Sequence, residues 1–184
     1  MELPSIQKLN NSNDVEFVNV LHLLFETAPS LDRLLLKKRP FDSYQDIIAQ
    51  TRLILSSGAM SEDELISVIN AHPKIGAATS TLSMLSLQEQ SNTGVSTWKE
   101  LEMLRQELVM TNEEYEKLTG FKFIIFVNAR PRTVILRIMK ESIVELKAGI
   151  ITREVEIKRA LNDMLDIAED RLRKLGKVES STKL

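Results

Sequence analysis

Apolar residues recur at helical spacing along nearly the whole chain, and a single stretch, from Phe121 to Val127, is apolar without that period. This contrast constrains the fold more than any other feature. A lone strand leaves its backbone N–H and C=O groups without a ladder partner. The chain therefore reads as all-α, with the stretch from Phe121 to Val127 either an isolated strand or extended core chain. From Asp14 to Phe25 the helical face is Val15, Val18, Leu21, Leu24 and Phe25. A short apolar segment from Leu31 to Leu36 ends in Lys37-Lys38-Arg39-Pro40, which reads as a solvated helix C-terminus followed by a proline stop. Ser43 opens a helix bearing Ile47, Ile48, Leu53 and Leu55. Ser61 and Glu64 have capping-box spacing ahead of Leu65, Ile66, Val68 and Ile69, and Pro73 limits that helix to about His72. Further helices are expected over residues 79–90, 97–110, 111–120, 133–147 and 152–175. A second capping box, Thr111 with Glu114, starts the third of these, and Gly176 closes the last. No repeat or linker divides the chain, so residues 1–175 are expected as one multi-helix domain and residues 176–184 as a flexible tail.

Composition narrows the chemistry. Among 184 residues there is no cysteine, which excludes disulfides, zinc–thiolate sites, iron–sulfur clusters and thiol catalysis. Two histidines, His22 and His72, leave no three-histidine metal site within one chain. With 24 Lys+Arg against 26 Asp+Glu, the chain lacks the basic footprint of a nucleic-acid or acidic-membrane binder. No apolar run is long enough to span a membrane. Met1-Glu2-Leu3-Pro4-Ser5 has neither the basic region nor the apolar run of a secretory signal. The ending Thr182-Lys183-Leu184 resembles the Ser-Lys-Leu address read by the peroxisomal import receptor, with Thr in place of Ser. It predicts a peroxisomal protein; the alternative is a frayed terminus on a cytoplasmic one.

In an all-α domain, a charged residue at a core-facing helical position marks a candidate site, because burying it is costly unless something compensates. Three residues stand there. His72 continues the line Leu65, Ile69 at the end of its helix, at the rim of a core, and reads either as a catalytic imidazole or as a satisfied core histidine. His22, mid-helix among Leu21, Leu23 and Leu24, reads as structural. Glu89 continues Leu82 and Leu85, with Ser86 and Gln90 on the same turn, so a hydroxyl, a carboxylate and an amide are presented together unless this is simply a solvated helix end. Arg171 falls inside the band Leu161, Met164, Ala168 and Leu175, and needs a carboxylate from the protein or a ligand. Arg153, Lys158, Asp163, Asp166 and Lys174 can all point to solvent. Arg130 and Arg132 add anion-binding capacity, one near the site and the other facing solvent. No glycine-rich phosphate loop is present. The set suits proton transfer on a small anionic molecule without a cofactor.

The same segments carry a family pattern. Ala71-His72-Pro73-Lys74-Ile75-Gly76, Leu85-Ser86-Leu87-Gln88-Glu89-Gln90, Tyr115, Gly120-Phe121-Lys122-Phe123-Ile124-Ile125 and Val127-Asn128-Ala129-Arg130 resemble the decarboxylases of 2-oxo-4-hydroxy-4-carboxy-5-ureidoimidazoline (OHCU) in the urate-to-allantoin pathway. Phe41 and Ser43, and the run from Ile167 to Leu172, extend the resemblance from about Leu3 to Leu175. It implies an all-α fold, a homodimer, no metal or organic cofactor, and conversion of OHCU to (S)-allantoin and carbon dioxide, often in peroxisomes. His72, Glu89 and Arg171 match the catalytic histidine, glutamate and arginine. Ser86 and Gln90 match substrate hydrogen-bonding positions, and Pro73, Phe121, Phe123, Ile125 and Arg130 are the further expected substrate contacts. Three residues depart from the pattern: Lys122 stands where Pro is usual, Ala129 where Gly is usual, and Pro131 stiffens the following turn.

On this reading Arg171 holds the departing carboxylate out of the ring plane, Glu89 supports the imidazole of His72, and His72 moves a proton from the substrate hydroxyl and helps return one to the ring carbon. The alternative is a non-catalytic helical domain that keeps the fold and binds a ligand or partner.

Overall fold

The structure, a computed structural model, describes residues 3–77 and 82–180, with side chains to residue 175. Nine helices and no strand are present among the described residues, so the all-α expectation holds. The chain forms two contact units. One comprises the chain up to Ala71 together with the chain from Met164 onward; the other runs from His72 to Asp163.

The first unit contains α1 (Ile6–Asn10), α2 (Asp14–Phe25), α3 (Pro29–Leu36), α4 (Tyr44–Ser56), α5 (Glu62–Ala71) and the later part of α9 (Arg153–Ser180). Local signals start most of these helices. Ser5, Asn13 and Ser43 each accept a backbone N–H from the first turn of α1, α2 and α4. The capping box at α5 is complete: Ser61 Oγ accepts from the N–H of Glu64 at 3.3 Å, and the Glu64 carboxylate accepts from the N–H of Ser61 at 2.9 Å. The buried face of α2 is Phe17, Leu21, Leu24 and Phe25, while Val15 is 71% exposed. The expected register was thus turned slightly, toward the larger ring. Phe17 stacks on Phe41 with centroids 6.0 Å apart, and the Arg39 guanidinium lies 4.7 Å above the Phe17 ring. Arg39 also donates to Ser12 O at 3.0 Å, so the basic segment after α3 is not wholly solvated as expected.

His22 is likewise not a packing residue. Its side chain is 48% exposed, and its Nε2 lies 3.2 Å from the carboxylate of Asp32.

The second unit contains α6 (Met84–Glu89), α7 (Trp98–Thr119), α8 (Arg132–Lys147) and the first part of α9. The helix expected over residues 79–90 begins at Met84 under an N-cap from Ser83, with Thr79 outside the described residues. One helix replaces the two expected between Thr97 and Gly120. Thr97 and Glu100 form its capping box and Gly120, at φ 83, its left-handed C-cap. Thr111 does not start a helix: its hydroxyl donates to Glu107 O at 2.7 Å, inside the helix and among buried groups. At the other end of the chain Gly176 does not close α9, which continues through Ser180. Thr182-Lys183-Leu184 lies outside the described residues.

The stretch from Phe121 to Val127 is extended without pairing into a sheet. Side chains from the flanking helices satisfy its backbone instead. Arg159 donates to Ile124 O at 2.7 Å, Asp163 accepts from the N–H of Phe126 at 3.0 Å, and Thr119 Oγ1 donates to Phe121 O at 3.0 Å. Arg159 also bonds both oxygens of the buried Glu156, which accepts from the Tyr115 hydroxyl, and its guanidinium lies 4.6 Å over Phe123. Asp163 and Arg153, expected in solvent, are both engaged, the latter through Nε donating to Thr119 O at 2.5 Å. No helix among the described residues is long and apolar enough to cross a membrane.

Candidate active site

His72 follows the last residue of α5 and is 2% exposed, deeper than the rim position the sequence suggested. The loop it opens is held within the second unit from three directions. Toward α6, Gln90 Oε1 accepts from the N–H of Gly76 at 2.9 Å, and Gln90 Nε2 donates to Lys74 O at 3.4 Å. Toward α7, Asn112 Nδ2 donates to Ile75 O at 3.1 Å and Lys74 pairs with Glu116 at 2.7 Å. Toward the extended segment, Lys122 Nζ donates to His72 O at 3.0 Å. Gly76 is required at its position twice over: its φ is +79, and a Cβ there would meet Leu108 Cδ1 at 2.9 Å.

These bonds bring the His72 loop against the C-terminal turn of α6. Ser86 and Gln90 are buried, 2% and 4% exposed, and Glu89 is half-buried, so the expected hydroxyl, carboxylate and amide do share one turn. Gln90, matched to a substrate-binding position, spends its amide at least in part on the loop backbone. Pro73 is half-buried beside His72. Phe121, Phe123 and Ile125 are 1%, 0% and 6% exposed, and both rings pack edge-on against Tyr115.

Arg130 and Arg132 are both half-buried, rather than one at the site and one in solvent. Arg130 turns back on its own loop, donating to Val127 O at 3.0 Å and to Phe126 O. Arg132 donates to Gln90 O at 2.8 Å, tying the end of α6 to the start of α8. Burial, and then the charge of Arg105, lower its guanidinium from the usual range. Between these arginines, Ala129 holds φ +58, a left-handed conformation in which a Cβ costs about 1–2 kcal/mol relative to glycine. The turn is retained because Asn92 Nδ2 donates to Ala129 O at 3.2 Å and the N–H of Arg130 to Val127 O at 3.0 Å.

Arg171 belongs to the first unit. It is 1% exposed, and its carboxylate partner is Glu26, at 3.2 Å. Its Nη1 lies 3.5 Å from Leu23 O and Leu24 O, carbonyls in the last turn of α2 that have no intrahelical donor and favour a cation. Glu26 was missed by sequence reasoning, as were Asn112 and Arg159. Glu26 and Asn112 act on partners far along the chain that no local spacing announces, whereas Arg159 carried a local signal in Glu156 and Asp163, its partners at i,i+3 and i,i+4 spacing. Among the described residues no group of three or more His, Asp and Glu side chains is arranged to hold a metal ion.

Fold and site together define an all-α protein with a buried imidazole on a rigidly held loop, next to a helix turn bearing a carboxylate. The family model for OHCU decarboxylase matches residues 10–173, and the chain belongs to that family. A uric acid degradation bifunctional protein of Bacillus sp. (strain TB-90) is 25% identical over 181 residues, covering 97% of this chain. The chain spans about a third of that protein and of the similar bifunctional protein PucL of Bacillus subtilis (34% and 32%). An OHCU decarboxylase of Haloferax volcanii is 24% identical over 172 residues, 91% of this chain and 94% of that protein. In structure, the chain resembles an OHCU decarboxylase crystallised in the presence of (S)-allantoin, with a TM-score of 0.63 at 21% identity over 90% of this chain and 99% of that one. That likeness establishes the fold.

Proposed function

We propose that this chain decarboxylates OHCU to (S)-allantoin and carbon dioxide in urate degradation, without a cofactor. The observation that carries the reading is the His72 loop, fixed by Gln90, Asn112 and Lys122 beside the turn of α6 that bears Ser86 and Glu89. Family membership over residues 10–173 supports it independently. Breaking the bond to the carboxylate releases carbon dioxide and leaves its electron pair on the ring carbon, delocalised into the adjoining ring unit, until a proton arrives from one face. His72 takes the proton of the substrate hydroxyl, whose oxygen becomes the new ring carbonyl, and helps deliver one to the adjoining ring carbon that bears the ureido group. Glu89 supports the imidazolium or fixes its tautomer. Ser86, Gln90 and the backbone around Phe121 to Ile125 orient the polar groups of the substrate. Arg171 takes the substrate anion, as the resemblance implies, and its pairing with Glu26 fixes the direction of the guanidinium.

The reading includes a homodimer. It also includes residence in the peroxisome through Thr182-Lys183-Leu184, for which the support is sequence alone. A tagged protein should lose peroxisomal localisation when those three residues are deleted; unchanged localisation removes that part of the reading. For the reaction, urate is oxidised by uricase with and without this protein, and the allantoin is followed by circular dichroism. An excess of the S product only in its presence is expected. Racemic allantoin in both cases would overturn the reading in favour of a non-catalytic binding domain.

A further inference from the structure

Lys122 occupies one of the three positions where the sequence departs from the family pattern, and the structure puts it against the loop that carries the imidazole. In an α-helix the His72 carbonyl would accept from the N–H of Gly76. That N–H is instead donated to Gln90 Oε1 at 2.9 Å. The carbonyl is left to Lys122, whose Nζ donates to it at 3.0 Å from 50 residues further along the chain. The extended segment makes this reach workable. Successive side chains of an extended chain point in opposite directions, and the rings of Phe121 and Phe123, 1% and 0% exposed, anchor the segment on both sides of Lys122. The ammonium is thereby held on a rigid base, with its stem half-buried.

We propose that Lys122 is a positioning residue for His72: it fixes the peptide plane on which the imidazole is mounted, acting through the His72 carbonyl. A proline at this position has no side-chain donor and cannot make the bond, so the tether belongs to this chain rather than to the pattern it resembles. The proposal deepens the decarboxylase reading and rests on it for the catalytic role of His72.

Two variants of the full chain test it, Lys122→Met, which keeps the stem but loses the donor, and Lys122→Arg, which restores a donor. Because the chain has two histidines, imidazole NMR signals resolve His72 with His22 as an internal control. In Lys122→Met the His72 ring signals should shift or broaden while those of His22 stay fixed, and Lys122→Arg should return them toward wild type. On freshly generated OHCU, Lys122→Met should lower kcat by ~10-fold or more with KM nearly unchanged, since small misplacements of an acid/base group act on the chemical step. Unperturbed His72 signals in Lys122→Met overturn the tether whether or not the wild type turns over. A raised KM with kcat retained overturns it in favour of direct substrate binding by Lys122. His72 signals perturbed in Lys122→Met, together with a wild type that forms no (S)-allantoin, leave the tether standing and sink the decarboxylase reading instead.

Discussion

Replacing Arg159 with methionine is expected to destabilise the protein by about 3 kcal/mol, the lower end of the range for breaking a buried ion pair. Glu156 is 2% exposed, and its carboxylate accepts from Arg159 at 2.9–3.1 Å and from the Tyr115 hydroxyl. Burial works against the charge of Arg159, but the hydrogen bonds and charge of Glu156, with Asp163, outweigh it and hold the guanidinium protonated well above its ordinary range. Burial, above all, raises the Tyr115 hydroxyl, which therefore stays a donor. Methionine preserves the apolar stem but leaves the Glu156 carboxylate buried without its cation and Ile124 O without its donor. Urea denaturation measures the loss, and hydrogen exchange at the Phe126 amide should rise, because Asp163 also loses its partner. Adding Glu156→Gln should recover part of the stability, since the stranded charge causes most of the damage. A loss below about 1 kcal/mol, the value of a surface pair, would mean that the network does not support the extended segment.

His72→Ala should lower kcat/KM for OHCU by about 10²–10⁴-fold, the contribution of one positioned acid/base group, with the fold retained. His22→Ala is the matching control. That residue is half-exposed and paired with Asp32, and its loss should leave turnover unchanged. Both variants are assayed on freshly generated substrate after their thermal transitions have been compared. OHCU also decays unaided, so the stereochemical excess of the product has to be read together with the rate. Wild-type production of (S)-allantoin by a folded His72→Ala variant would sink the acid/base role.

Several of the candidate residues were legible because they break a local pattern. Arg171 interrupts an apolar band, and Ser86, Glu89 and Gln90 share one helix turn; helical geometry over three or four residues is enough to see either. Arg171 is indeed buried at 1% exposure. Its partner was not legible: Glu26 lies 145 residues away and sits at φ 49 just past the end of α2. The extended segment shows the same division. Its apolar run announced core chain, while of the groups that satisfy its backbone Asp163 was read as solvent-facing and Arg159 was missed, because the carbonyl and amide they bond lie 35 and 37 residues away. Thr111 with Glu114 marks where local spacing misled. A capping box works only if the helix begins there, and α7 was already running, with Leu104 and Leu108 buried on the turns before Thr111.

The sequence by itself determined most of the helices, the start signals of α4 and α5 and the identity of the buried imidazole, since caps, prolines and apolar periods act between residues a few positions apart. The tertiary structure decided what that imidazole is mounted on. Gln90, Asn112 and Lys122 reach the His72 loop from 14 to 50 residues away along the chain, each supplying or accepting a hydrogen bond that the loop cannot make for itself once it leaves the helix. A buried backbone polar group must find a partner somewhere, but which partner it finds depends on where the chain returns in space.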